Sequence, residues 1–113
     1  MTDIALLDDH VADFNDGVRT GNFDAMLARF THDAELAFEG VPAGPYVGID
    51  AIRAAYRDNP PDDEIIVLGA ELNGDTIVAP YSWAHDRRRH SGEMRVTVRN
   101  GQIARLVVTF DSG

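Results

Sequence analysis

The sequence predicts an α+β fold, with three helices packed on the concave face of a curved antiparallel sheet. Three observations carry this reading. Apolar residues recur at helical spacing in the first half of the chain. From Glu64 onward they alternate with period two. Asn73-Gly74-Asp75 and Asn100-Gly101 supply tight turns between the alternating runs. The expected order is α-α-β-α-β-β-β-β, and 113 residues hold one core, so a single domain spans 1–113.

Ile4, Leu7, Val11, Phe14 and Val18 follow one stripe of a helix, with Asp8, Asp9, Asp13 and Asp16 flanking it. Thr2 or Asp3 is placed to cap its start, and the early acids suit the positive end of the helix dipole. Gly21-Asn22 ends this helix, and Asn22 caps a short second one carrying Phe23, Met26, Leu27 and Phe30. Ala34 to Glu39 alternates as a strand does, and the Gly- and Pro-rich stretch from Gly40 to Gly48 reads as a loop. A third helix runs from about Ile49 to Arg57, with Ile52 and Tyr56 one turn apart, until Asn59-Pro60-Pro61-Asp62 stops it. Strands over Glu64–Leu72, Thr76–Asp86, Glu93–Arg99 and Gln102–Asp111 complete the chain, with a hairpin tip from Arg87 to Gly92.

Pairing across that tip is expected to set Tyr81 opposite Val98, Trp83 opposite Val96 and His85 opposite Met94. One face then carries Ile77, Ala79, Tyr81, Trp83 and His85 with Met94, Val96 and Val98; the other carries Val78, Pro80, Ser82, Ala84 and Asp86 with Glu93, Arg95, Thr97 and Arg99. A one-residue slip would mix the two sets. In the last strand Ala104, Leu106, Val108 and Phe110 share a side. The small side chains of the polar face suit a homodimer through the sheet.

Composition narrows the function. The formal net charge of −9 argues against nucleic-acid and anionic-membrane partners, because phosphate binding needs clustered positive charge. The chain has no cysteine, which excludes disulfides, thiolate metal sites and cysteine nucleophiles. All the basic residues are arginine, which excludes a lysine Schiff base. With no basic leader and no apolar run long enough for a bilayer, the chain reads as soluble and cytoplasmic. No cofactor is expected. His85, Asp86, His90 and Glu93 lie close in sequence but lack metal-ligand spacing, so no metal is expected either.

Four segments, in order, resemble the nuclear transport factor 2-like (NTF2-like) and ketosteroid isomerase-like superfamily, including its SnoaL-like polyketide cyclase branch. They are Asp13 to Asp24 as the helix-turn-helix opening, Phe30-Thr31-His32-Asp33-Ala34 as the step into the first strand, Gly48-Ile49-Asp50-Ala51-Ile52 as the entry to the third helix, and Val98 to Ile103 as the final hairpin. The resemblance implies a cone-shaped NTF2-like (cystatin-like) fold with an apolar pocket inside the cone. It carries the isomerase's oxyanion tyrosine onto Phe14, its base onto Phe38 and its protonated aspartate onto or beside Met94. None of these side chains donates or accepts a proton, so the standard isomerase mechanism is not expected. The resemblance also matches Tyr56 to a tyrosine behind the oxyanion donor. His85, with Asp86 or Glu93, loosely matches the histidine and acid of the cyclase branch.

The expected catalytic pair is therefore His85, whose imidazole titrates near neutral pH, and Tyr56. The expected pocket walls are Phe14, Phe30, Phe38, Tyr56, Tyr81, Trp83, His85, Met94, Val96 and Phe110. The expected ligand is a compact, apolar, steroid- or polyketide-like molecule, handled by an isomerase- or cyclase-type activity. The alternative is a non-catalytic dimeric module whose side chains fill a closed or vestigial pocket. His10 and Asp13, one turn apart, are expected on the outer face of the first helix, in solvent. The Arg87-Arg88-Arg89 run reads as a solvated turn or as bait for an anionic partner.

Overall fold

The leading stripe forms α1 (Asp3–Thr20), which buries Leu7, Val11 and Phe14 along one side. The chain is seen as a computed structural model that describes residues 3–40, 44–86 and 90–110. The cap expected at Thr2 or from the Asp3 side chain, and the run Arg87-Arg88-Arg89, lie outside the described residues. Gly21, at φ 81°, closes the helix by donating its N–H to the Gly17 carbonyl at 2.7 Å. Asn22 then accepts the Asp24 N–H at 2.9 Å and starts α2 (Asp24–Leu27). A Cβ on Gly17 would lie 2.3 Å from the Phe23 ring, so this glycine is what lets α1 and α2 meet closely.

The second helix is shorter than expected. After Leu27 the Arg29 carbonyl accepts the Ile103 N–H at 2.8 Å, so pairing to the last strand takes over from helical bonding. Phe30, His32 and Asp33 consequently belong to β1 (Phe30–Glu39). β2 (Tyr46–Val47) pairs with β1 inside the stretch expected to be a loop, and α3 (Ile49–Asp58) follows. β3 (Ile65–Val67) and β4 (Glu71–Asn73) both pair with β5 (Thr76–Trp83). Residues 68–70 oppose only Ala79 and Pro80, so the single strand expected over Glu64–Leu72 is broken by one extra residue. β6 (Gly92–Arg99) and β7 (Gln102–Thr109) are joined by Asn100-Gly101, both at positive φ as a tight hairpin turn requires.

The sheet order is β2-β1-β7-β6-β5-β3, with β4 beside β5. All pairings are antiparallel except β1 with β7, which run parallel. α3 packs on β1 and β2, and α1 on β3 and β5, so the helices cover one face of a curved, unclosed sheet. Edge strand β3 is held by α1: the Asn15 amide donates to the Ile65 carbonyl at 3.1 Å and accepts its N–H at 2.8 Å, standing in for a missing strand. Among the described residues no helix is long and apolar enough to cross a membrane.

Two registers differ from expectation. Across the β5–β6 hairpin Tyr81 faces Gly92, Ala79 faces Met94 and Ile77 faces Val96, a slip of six residues. The slip is even, so the apolar and polar sets stay on separate faces. It follows from Gly92, where a Cβ would sit 1.9 Å from the Thr109 carbonyl oxygen; only glycine lets β6 start this deep beside Tyr81. In β7 the register shifts between Thr97 and Val98, setting Val98 opposite Ile103, so Ile103 is the buried residue at that end where Ala104 was expected.

Candidate functional site

A cavity of about 570 Å³ opens between the helices and the sheet. Leu36 and Phe38 of β1, Met94 of β6, and Leu106 and Val108 of β7 form its floor, and cross-strand pairing sets Phe38, Val108 and Met94 in one row. His10 and Phe14 enter from α1, Ala55 and Tyr56 from α3, and Tyr46, Trp83 and Phe110 close the sides. Aromatic contacts fix these walls. Phe23 lies 5.1 Å from Tyr56 and 6.2 Å from Phe14, and Phe38 lies 6.2 Å from Phe110. Among the described lining residues there is no Asp, Glu or Arg.

Six of the expected wall residues, Phe14, Phe38, Tyr56, Trp83, Met94 and Phe110, line this cavity. The three positions onto which the resemblance carries the isomerase's groups are therefore together in it. Phe30, Tyr81 and Val96 are not lining residues but sealed core. Tyr81 is fully buried because its hydroxyl reaches the Thr109 carbonyl at 3.0 Å, which satisfies the polar tip inside the core.

His85 also lies elsewhere. β5 ends at Trp83, and Ala84–Asp86 turn as a short 3₁₀ segment. There the Asp63 carboxylate accepts the His85 backbone N–H at 3.2 Å and contacts its Nδ1, leaving the side chain 70% exposed. Burial works against Asp63, yet hydrogen bonds from the His85 ring and backbone hold its carboxyl below the usual range. This surface pair replaces the expected placement of His85 opposite Met94.

The lining residues with polar side-chain groups are Tyr46, Tyr56, Asn59, Trp83 and one that was expected in solvent, His10. The Tyr56 hydroxyl makes no hydrogen bond among the described residues, and burial pushes its pKa well above the usual tyrosine value, so it stays a neutral donor. His10 is 2% exposed, packs edge-on against Phe30 at 5.6 Å, and buries an Nδ1 with no hydrogen-bond partner among the described residues. Burial lowers its pKa to about 4, against the pull of Asp13 and with the push of Arg29, so the ring is neutral at pH 7. Asp13 is taken by Arg29, whose Nε lies 2.5 Å from its carboxylate. An unmet buried polar atom costs about 1–3 kcal/mol. The signal for His10 was present: Leu7, His10 and Phe14 share a 3-4 spacing and hence one helix face.

Residues 11–106 match the sequence profile of the SnoaL-like domain. No curated protein matches the chain in sequence. Among solved structures the chain is similar to an NTF2-like protein of unknown function from Cytophaga hutchinsonii, at TM-score 0.75 and 18% identity over 98% of this chain and 91% of that one. It is similar to a candidate isomerase from Bacillus subtilis, at TM-score 0.76 and 15% identity over 98% and 90%. A candidate polyketide cyclase from Sinorhizobium meliloti is similar at TM-score 0.63 and 23% identity over 91% and 97%. At these identities the likeness is one of fold.

Proposed function

Because this chain belongs to the SnoaL-like domain family, we propose that it binds a compact, largely apolar small molecule in its cavity and carries out isomerase- or cyclase-type chemistry on it. The observation that carries this reading is the 570 Å³ cavity itself, whose volume falls in the usual range for ligand sites and whose lining is mostly apolar with isolated polar tips. An open cavity also favours it over a closed, non-binding module, in which side chains would fill the space.

The chemistry differs from that of a ketosteroid isomerase. Phe14, Phe38 and Met94 supply no oxyanion donor and no base, and no carboxylate among the described residues lines the cavity. Tyr56 is the group suited to donate a hydrogen bond to an oxygen on which negative charge develops. A homodimer through the outward face of the sheet accompanies this reading, supported by the half-buried Val78 and Pro80 of β5; sedimentation as a monomer at micromolar concentration removes it. The central test is a thermal-shift panel of steroid- and polyketide-like compounds, followed by product analysis. At least one compound is expected to raise Tm, and Tyr56→Phe to lower turnover more than binding. No shift across the panel would sink the proposal, and a shift without turnover would reduce the protein to a binder.

A further inference from the structure

His10 has no task in the fold that its apolar neighbours could not perform. It sits between Leu7 and Phe14 on the buried face of α1, lines the cavity, and leaves Nδ1 sealed without a partner among the described residues. The charged groups acting on it are Asp13, from its own helix, and Arg29, at the entry to β1; these two are bound to each other, so neither holds the imidazole proton.

We propose that His10 is the recognition group of the cavity, its neutral imidazole donating Nε2–H to a carbonyl or similar oxygen acceptor of an uncharged ligand. This rests on the proposed function, since it presumes that the cavity takes a small molecule. The direction of the bond follows from the orphaned nitrogen. A neutral imidazole carries one N–H and one lone pair, and a sealed N–H without an acceptor is rarer than a sealed lone pair. Nδ1 is therefore the bare nitrogen and Nε2 carries the hydrogen. The ligand is uncharged because the described lining holds no charged side chain to offset an ion. The depressed basicity of the ring agrees with this.

Trp83, the single tryptophan, lines the same cavity, so its fluorescence reports binding directly. Three probes of one skeleton separate the possibilities: 2-decalone, decalin and decalin-2-carboxylate. The ketone is expected to bind about three- to tenfold tighter than the hydrocarbon, as one neutral hydrogen bond provides, and the carboxylate weakest. His10→Leu should erase the preference for the ketone, and His10→Gln, which keeps an amide donor, should retain part of it. Nitrogen-15 NMR of the unaltered protein gives a readout independent of folding in the variants: His10 should be neutral at pH 7, protonated on Nε2, and shifted by 2-decalone. A ketone preference that survives His10→Leu, tightest binding of the carboxylate, or a proton on Nδ1 would overturn the inference alone. Binding of none of the three would overturn it together with the proposed function.

Discussion

On the outward face of the sheet, charged side chains meet opposite charges across strands. Arg95 reaches Glu39 at 3.7 Å besides Glu93 of its own strand, Arg105 reaches Glu35 at 2.8 Å and Arg99 reaches Asp33 at 2.5 Å. On the covered face, Nδ1 of His10 meets no protein partner among the described residues, although burial makes an unmet polar group costly there. The contrast teaches where this chain stores potential. Exposed ion pairs are screened and contribute little, whereas the sealed nitrogen of His10 carries an unmet cost at the cavity wall.

The largest expected effect comes from the sealed end of the covered face. Gly92→Ala would drive a Cβ into the Thr109 carbonyl, and neither backbone can yield without breaking the ladder; a loss of about 3 kcal/mol or more is expected from urea unfolding midpoints. Next comes the pH dependence of His10. Unfolded, its ring takes a proton near pH 6.5; folded, only near pH 4. Between those values the unfolded chain binds more protons, so stability is fully present above pH 6.5 and is lost as pH falls toward 4, by about 3 kcal/mol in all. His10→Leu should lack that portion of the slope, and identical pH profiles for the two proteins would break the assignment of a buried neutral ring.

Smaller effects sharpen the contrast from the other side. Tyr56→Phe removes a hydroxyl with no protein partner, so unfolding free energy should change by less than about 1 kcal/mol. Arg105→Ala, on the outward face, should change it by less than about 0.5 kcal/mol, with the difference shrinking further in high salt. A larger loss at Arg105 than at Gly92 would invert the account.

Much of this was legible in the residues. The α1 stripe, the Gly21-Asn22 break and the Asn100-Gly101 turn act through local rules, and each lies where periodicity set it. The sorting of β5 and β6 into two faces was legible too, because period two reports parity. Absolute register was not, since parity is blind to an even slip, and the depth of β6 depends on a contact between Gly92 and Thr109 far apart in sequence. That slip is also why His85 turned out beside Asp63 rather than opposite Met94. His10 was missed for a different reason: residue type suggested solvent, while its place between Leu7 and Phe14 pointed inward. Phe30 and Tyr81 were assigned to the pocket because aromatic side chains serve a wall and a core equally well.

The claim beneath all of this is that the space between helices and sheet is open. Ala55 of α3 lines that space, so Ala55→Leu tests it without knowledge of any ligand. Thermal unfolding of the variant should fall within about 1 kcal/mol of the parent, because the added carbons enter empty volume. A destabilisation of about 2–3 kcal/mol, the cost of overfilling a packed core, would contradict it.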